Sequence, residues 1–372
     1  MTTQASLGHL LKHSRTVITS LQEPNGAYPA SPSFSAYKGY CWFRDGSFIA
    51  DGVSAAGEVE SASRFFDWCA MVIMRYQDRI GHIIEAAHAG NPLPDEQMLP
   101  TRFTFDGSMG QDDWWDFQLD GYGTWLWALG QHALRHKLNI DVWKPAAQLT
   151  VDYLLSSWDR PCFDWWEEHR EQQHISTLGC IAAGLQAAIE AGLVEGLQAQ
   201  AAVLTYGDIK QKIIQEGTAD FHLCKWIGND SLDGSLSALI APLRVIDPAC
   251  DLAKGTIAAL EQQLSVDFGV HRFLGDTFYG GGRWPLLSCF LGLAHVSTGN
   301  AQKARQYLDW AASTATESLE LPEQVGNPLL APERRQEWRD RWGEVATPLL
   351  WSHAMLLRLA VELGINVKET SS

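Results

Sequence analysis

Apolar residues recur every three or four positions along most of the chain, which is the spacing of one face of an α-helix. Counted in this way, the sequence predicts about twelve helical segments, at residues 7–21, 48–56, 62–87, 122–134, 142–158, 175–191, 194–214, 232–240, 249–264, 286–298, 301–319 and 349–363. Short strands are expected only within residues 222–227 and 270–273, and no strand–helix–strand rhythm indicates a parallel sheet. The pattern therefore predicts an all-α fold.

Most Gly, Pro and aromatic residues fall in the long connections between these segments, at residues 23–47, 89–123, 159–170, 217–234, 265–285 and 320–348. Loops on a rigid scaffold are where binding and catalytic residues usually lie. No Ser- or Pro-rich linker and no low-complexity tract divides the chain. The sequence therefore predicts one domain of residues 1–372.

Charge and composition narrow the possible partners. The net charge of −16 disfavours nucleic acid and anionic membranes, so a small neutral substrate fits better. Residues 1–9 lack the basic and apolar stretches of a secretion signal, and no run reaches the roughly 18 apolar residues of a membrane span, so we expect a cytoplasmic protein. The seven cysteines lack the paired spacing of a zinc site or a disulfide framework. We expect no metal, no cofactor, and a monomer or a homodimer.

The connection 159–170 contains the densest chemistry, with Asp164, Trp165, Trp166, Glu167 and Glu168 in succession. An indole offers a flat apolar face to a sugar ring, and a carboxyl group can accept hydroxyl protons or donate a proton to a glycosidic oxygen. Taken alone, the segment is better explained as a charged loop beside two core tryptophans. The chain has 16 tryptophans, however, and many of them adjoin Asp, Glu, Gly or Arg, which favours a lined pocket.

The first connection ends in the residues Cys-Trp-Phe-Arg-Asp-Gly, at positions 41–46. The neighbouring Arg44 and Asp45 could bind vicinal sugar hydroxyls with a donor and an acceptor together. Asp45 could also cap the helix that follows, and both roles can hold at once. In the connection before residue 122, Asp120 is explained by the start of a helix, but the pair Trp114 and Trp115 is not.

Two later loops carry the same mixture of charged and aromatic residues. Arg272 and Asp276 precede a run of three glycines at 280–282, which permits backbone turns that larger residues resist, and Trp284 follows it. Glu323 is a lone carboxylate in the loop Leu-Pro-Glu-Gln-Val-Gly. These loops add a second acidic group to the predicted pocket, far from the first in sequence.

These five motifs, in their order along the chain, resemble the glucoamylase family, glycoside hydrolase family 15, from residue 26 to about residue 355. The resemblance implies an (α/α)6 barrel, in which six inner and six outer helices alternate and loops at one end build the pocket. The helical segments found by periodicity agree with that architecture.

The resemblance also implies roles for individual residues. Glu167, the first Glu of the Asp-x-Trp-Glu-Glu motif, corresponds to the general acid, and Glu323 to the general base. The positions implied for gripping the terminal glucose and lining the pocket are Trp42, Arg44, Asp45, Trp114, Asp164, Trp166, Glu168, Arg272, Asp276 and Trp284. Tyr37 and Tyr40 are both candidates for positioning the catalytic water, because here two residues separate them where the family commonly has one. Phe278 replaces a tyrosine of many members.

The division into acid and base can be argued from the sequence. An inverting glycosidase needs a protonated carboxyl group at the leaving oxygen and an ionised one on the opposite face, about 6.5–9.5 Å away. Glu167 lies beside two indoles and two acids, so burial and like charge should both raise its pKa. Glu323 has no acidic neighbour in sequence and is expected to stay ionised.

The expected function is that of an inverting, exo-acting α-glucoside hydrolase that releases β-glucose from the non-reducing end of short oligosaccharides, with isomaltose-type α-1,6 substrates first. Within the same family, a trehalase or a glucoamylase is the alternative. In another class, the chain could be a sugar-binding protein that has lost turnover, although a binding protein has no need of both Glu167 and Glu323. Fold alone does not decide between these functions.

Overall fold

The computed structural model describes residues 4–114 and 117–367. The described part contains fourteen α-helices: α1 Gln4–Leu21, α2 Phe43–Ala55, α3 Val59–Arg75, α4 Gln77–His88, α5 Asp120–His136, α6 Lys144–Ser157, α7 Ile175–Glu190, α8 Gly196–Glu216, α9 Ser237–Ile240, α10 Asp251–Leu264, α11 Pro285–Ser297, α12 Ala301–Ser313, α13 Arg335–Trp342 and α14 Leu350–Glu362.

Six of these helices form a closed inner ring in the order α2, α5, α7, α9, α11 and α14, and α14 packs back against α2. The helices between them in sequence, namely α1, α3 with α4, α6, α8, α10 and α12, cover the ring from outside. Inner and outer helices therefore alternate along the chain. This arrangement is an (α/α)6 barrel, and it confirms the prediction of an all-α fold.

The burial pattern explains which helices lie inside. Most residues of α5 and α7 are buried around their whole circumference, whereas α3 buries only one stripe. Small residues let the inner helices approach closely: a Cβ atom at Gly123 would lie 2.4 Å from the carbonyl oxygen of Cys180, and one at Gly184 would lie 2.4 Å from that of Gly123. An alanine at either position would force α5 and α7 apart.

Seven short strands join the loops at the ends of the barrel in the described part of the chain. They form three antiparallel groups: β1 Tyr40–Trp42 with β2 Arg102–Thr104, β3 Thr218–Ala219 with β4 His222–Leu223, and β5 Ser265–Val266 with β6 Gly269–His271 and β7 Arg283–Trp284. The two expected strands correspond to β4 and β6. The other strands were not predicted, because two or three paired residues leave almost no period-two signal.

Three helical predictions differ from the structure. The segment 62–87 is divided at Tyr76, and residues 232–240 are helical only from a short 3₁₀ turn into Ser237–Ile240. The segment 301–319 is helical only to Ser313, and beyond that point residues 316–320 form a turn in which the hydroxyl of Thr316 accepts the backbone N–H of Glu320. Apolar periodicity continues across these points, so it could not reveal them.

Four aromatic rings close the barrel along its axis: Phe48, Trp165, Phe290 and Trp351. The rings of Phe48 and Trp351 are stacked with centroids 5.2 Å apart, and Trp165 contacts both Phe290 and Trp351. No helix in the described ranges is both long and apolar enough to cross a membrane.

Candidate active site

A cavity of about 480 Å³ opens at the end of the barrel where the inner helices begin. The connections that precede α2, α5, α7, α11 and α14 all contribute to its wall. The predicted site residues that line it are Tyr37, Trp42, Arg44, Asp45, Trp114, Trp166, Glu167, Glu168, Arg272, Trp284 and Glu323. Five loops that are distant in sequence therefore meet in one pocket.

The turn that carries Glu167 is organised by Asp164. One carboxylate oxygen of Asp164 accepts the backbone N–H groups of Trp166 and Glu168, each over 2.9 Å. Between these two residues Glu167 adopts a positive φ of 61°, a left-handed conformation that is costly for a side chain of its size. Asp164 is buried away from the cavity. The prediction that Asp164 binds substrate is therefore not supported by its position, because its carboxylate is used to hold the turn.

The carboxyl group of Glu167 contacts two residues of the first connection. The indole Nε1 of Trp42 donates to Glu167 Oε1 over 2.7 Å, and Arg44 Nη2 lies 3.6 Å from the same oxygen. Burial raises the pKa of Glu167, while Arg44 and the Trp42 hydrogen bond lower it. The expected direction of the shift is right, but like charge is not its cause, since the charges that act on Glu167 most strongly are arginines.

Glu323 is more deeply buried, at 2% exposure. The hydroxyl of Tyr37 donates to Oε1 over 2.7 Å, and Oε2 has no hydrogen-bond partner within the described residues. Burial raises the pKa of Glu323 to about 8, against the hydrogen bond from Tyr37 and the charge of Arg272, which lower it. Burial therefore acts against the expectation, drawn from the lack of acidic neighbours in sequence, that Glu323 stays ionised.

The loop of Glu323 is anchored to α14. The ring of His353 accepts the backbone N–H of Leu321 through Nε2 over 2.9 Å, while its Nδ1 lies 2.8 Å from the hydroxyl of Ser14. Burial lowers the pKa of His353 to about 3, so the ring is neutral and can accept that bond. Ser352 donates to the carbonyl of Pro322 over 2.9 Å. The backbone on the N-terminal side of Glu323 is therefore fixed by the inner helix.

Arg44 and Asp45 begin the first turn of α2 and face the cavity. Arg44 is 3% exposed, donates to Gln118 over 2.6 Å and lies 3.2 Å from Asp120. Burial raises the pKa of Asp45 to about 6, although Arg44 opposes the shift. Asp45 does not cap the helix as expected, because α2 begins at Phe43 after Trp42 and has no side-chain cap hydrogen bond, but it lies in the first turn and lines the cavity. The pair offers a donor and an acceptor to a ligand.

Arg272, which also lines the cavity, lies between aromatic rings. Its guanidinium forms two hydrogen bonds with Asp276 and stands 5.1 Å from the ring centroid of Trp166 and 5.3 Å from that of Trp284. Asp276 is buried and is absent from the described lining of the cavity. Asp276 therefore orients Arg272 and is not placed to contact substrate, contrary to expectation. Burial raises the pKa of Glu168, beside Arg272, to about 7.

The two tyrosine candidates are separated by the fold. Tyr37 lines the cavity and donates a hydrogen bond to Glu323. Tyr40 is not among the described residues that line the cavity; it packs against Arg102, whose guanidinium lies 3.8 Å from the centroid of the tyrosine ring. Arg102 was not predicted as a site residue. It pairs across the β1–β2 ribbon with Trp42, lies 4.7 Å from the ring centroid of Trp114, and so supports the cavity wall from behind.

A second group of residues that sequence reasoning missed comes from α13. Trp338, Arg341 and Trp342 line the cavity, and the ring of Trp342 lies 6.3 Å from that of Trp114. The two tryptophans of α13 are four positions apart and therefore lie on one face of a polar helix, which is a signal the sequence did contain. The glycines 280–282 are not among the described residues that line the cavity. They contact the segment at 324–331, where Gly282 N–H donates to Gln324 over 2.7 Å.

Trp115 and Asp116, which belong to the aromatic and acidic mixture of the second loop, lie outside the described residues. Phe278 lines the cavity and packs on Trp338 with ring centroids 5.0 Å apart. Within the described residues, no group of three His, Cys, Asp or Glu side chains is arranged to hold a metal ion. The described lining of the cavity contains several carboxyl groups, among them Asp45, Glu167, Glu168 and Glu323, together with arginines and indoles.

Comparison with known proteins agrees with this geometry. The sequence profile of the family Glycosyl hydrolases family 15 matches residues 4–323. The chain belongs to glycosyl hydrolase family 15. It is thus a glycoside hydrolase, and the resemblance stated from the sequence motifs is confirmed.

Individual relatives extend over almost the whole chain. The isomaltose glucohydrolase of Kribbella flavida is 49% identical over 97% of this chain and 94% of its own length. A solved glycosidase, 49% identical, superposes with a TM-score of 0.95 over 97% of each chain, and one variant described under the same name was solved in complex with glucose. A glucoamylase from Saccharomycopsis fibuligera, 14% identical, has a TM-score of 0.74 over 97% of this chain and 95% of its own, and shares the fold.

Proposed function

We propose that this family 15 enzyme is an inverting, exo-acting α-glucosidase that releases β-glucose from the non-reducing end of isomaltose and similar short oligosaccharides. The observation that carries the proposal is a single tryptophan-lined cavity in which Glu167 and Glu323 arrive from different loops. Two carboxyl groups on opposite sides of one sugar are what an inverting hydrolysis requires. The name of the relative in Kribbella flavida supports the choice of isomaltose.

In the proposed reaction, Glu167 donates its proton to the glycosidic oxygen as the bond from that oxygen to the anomeric carbon breaks. Glu323 accepts a proton from a water molecule whose oxygen attacks the same carbon from the opposite face. The products are β-glucose and the shortened sugar. The pair works when Glu323 has lost its proton and Glu167 has kept one. A base with a raised pKa binds a proton strongly, which favours removal of the proton from water.

The shape of the cavity supports a short substrate cleaved at its end. The aromatic floor with Trp351 closes the cavity at the barrel axis, which suits a chain end and not the middle of a polymer. Its volume of about 480 Å³ lies within the roughly 300–1,000 Å³ that is usual for small-molecule sites. The helix α13 adds Trp338 and Trp342 to the outer wall, where an indole face can stack on a second sugar. The cytoplasmic location and the monomeric or dimeric state stay predictions.

The proposed substrate is tested by a panel of natural sugars. We expect kcat/KM for isomaltose to exceed the values for maltose, trehalose and soluble starch, measured by glucose release under one condition. Trehalose or starch leading isomaltose tenfold, about 1.4 kcal/mol of transition-state preference, would favour a trehalase or a glucoamylase instead. Absence of turnover on every sugar, together with binding of glucose, would support the sugar-binding alternative.

The stereochemistry of the product tests the mechanism separately. Proton NMR of a fresh isomaltose digest should show the β-anomer of glucose first, with the α-anomer appearing only as mutarotation proceeds. This outcome is expected because Glu323 is proposed to act on water and not on the sugar. Initial release of α-glucose would indicate a covalent intermediate and would contradict the inverting mechanism.

The contact between Tyr37 and Glu323 predicts a change in pH dependence. The Tyr37→Phe variant removes a hydrogen bond that favours the ionised carboxylate, a bond typically worth about 1.5–3 kcal/mol. We expect kcat/KM to fall about tenfold or more near neutral pH, and the acidic limb of its pH profile to move to higher pH. The matched control is Tyr40→Phe, which should keep the limb of the parent enzyme. An unmoved limb in Tyr37→Phe would refute the assignment of Tyr37.

A further inference from the structure

Behind the turn of Glu167 lies a buried cluster of one ammonium group and two carboxylates. The Nζ atom of Lys225 lies 3.6 Å from Asp164 Oδ2 and 3.2 Å from Asp233 Oδ2. All three side chains are at most 4% exposed, and none of them is among the described residues that line the cavity. Burying charges costs free energy even when they are paired, so this cluster needs a reason beyond stability.

The two carboxylates of the cluster accept hydrogen bonds from the neighbours of Glu167, Asp164 from both of them and Asp233 from Trp166. Asp164 accepts the backbone N–H groups of Trp166 and Glu168, each over 2.9 Å. Asp233 accepts the indole N–H of Trp166, with 2.9 Å between Nε1 and Oδ2. The backbone on both sides of Glu167, and the neighbouring ring, are therefore fixed by two negative charges that share one cation.

Lys225 connects this turn to the scaffold of the barrel. Its backbone carbonyl accepts the N–H of Ile175, the first residue of α7, over 3.1 Å, and its ammonium group lies 3.2 Å from the ring centroid of Phe273. Solvent is poorly placed to replace the ammonium group, since Lys225 is only 4% exposed. Without the cation, Asp164 and Asp233 would face each other as uncompensated buried charges.

We propose that Lys225 is a positioning residue for the general acid. By holding Asp164 and Asp233 together, it fixes the turn in which Glu167 has its positive φ, and so keeps the carboxyl group of Glu167 at the leaving oxygen. This inference rests on the proposed function of Glu167 as the acid. A displacement of about 1 Å at a reacting group can lower a rate about 100-fold, so a cation outside the cavity can control catalysis.

The test compares two substrates with different leaving groups in the Lys225→Met variant. Isomaltose needs a proton from the acid, whereas α-glucosyl fluoride releases fluoride, which needs little protonation. We expect kcat for isomaltose to fall about 10-fold to 100-fold, with KM and the rate on α-glucosyl fluoride within about threefold of the parent enzyme. Equal losses on both substrates, or no loss on either, would overturn the proposal.

Three further variants make the result decisive. Glu167→Gln must show the same dependence on the leaving group, since otherwise the proposed acid is wrong and not merely its positioning. Arg358→Met breaks another buried ion pair, with Asp51 at 2.8 Å, at the opposite end of the barrel, and should leave the ratio of the two rates unchanged. If circular dichroism shows that Lys225→Met is unfolded, Lys225→Gln replaces it, and the same two outcomes decide.

Discussion

Replacing Glu323 by alanine is expected to lower kcat by a factor of about 10²–10⁴, which is the usual value of one general acid or base. The loss should be similar for isomaltose and for α-glucosyl fluoride, because a water molecule must attack the anomeric carbon whichever group departs. Glu323 lines the cavity and receives the Tyr37 hydrogen bond, so its removal takes away the proposed acceptor of the proton of that water.

The measurement is a pair of steady-state rates on the two substrates, with circular dichroism as the check of folding. The matched control is Gln324→Ala. The side chain of Gln324 forms hydrogen bonds with backbone groups of Gly282 and Phe278, and it is not among the described residues that line the cavity. A variant at Glu323 that loses isomaltose turnover but keeps the fluoride rate would show that Glu323 is an acid and not the base.

Burial of the Glu323 carboxyl group makes the free energy of unfolding depend on pH. The pKa of Glu323 is about 8 in the folded protein and 4.5 without the fold. Between these values the folded chain keeps a proton that the unfolded chain has lost, so the free energy of unfolding falls as pH rises from about 4.5 to about 8. The isosteric variant Glu323→Gln lacks this group and should therefore gain stability over the parent as pH rises through that window.

The helical content could be predicted from the sequence because helix periodicity is a repeated signal, whereas the barrel arrangement was what the resemblance to the family implied. Apolar residues recur with the helical period in both kinds of helix. The inner helix α7 has a run of small and apolar residues, and the outer helix α3 has one apolar stripe. The polar helix α13 was not predicted, since its one apolar signal, two tryptophans four positions apart, is too short to make a stripe. The division between α3 and α4 at Tyr76 was not predicted for the opposite reason, because the apolar pattern continues through it.

The sequence motifs predicted which residues line the cavity, but not the contacts that these residues make with distant parts of the chain. The motifs around Glu167 and Glu323 name the residues that meet in the cavity. They do not reveal that Asp164 faces Lys225 and not the cavity, because Lys225 belongs to a different connection, beyond α7 and α8. The pKa of Glu323 was misjudged for the same reason, since burial by distant loops cannot be predicted from the residues adjacent to it in sequence.

Replacing Glu167 by glutamine is expected to reduce kcat on isomaltose by a factor of about 10²–10⁴ and to affect α-glucosyl fluoride far less. Glutamine keeps the shape of the side chain and an oxygen that can accept the indole N–H of Trp42. It has no acidic proton to give to a sugar leaving group. Burial keeps the carboxyl form of Glu167 available by raising its pKa, so the loss of that proton is the main change.

The control for this assignment is the next residue in the turn. Glu168 also lines the cavity and also has a raised pKa, of about 7, so the direction of the shift alone does not identify the acid. Its carboxylate lies 3.6 Å from Arg272, which suits the binding of hydroxyl groups, and Glu168→Gln should therefore raise KM more than it lowers kcat. If instead Glu168→Gln shows the dependence on the leaving group and Glu167→Gln does not, the acid is Glu168.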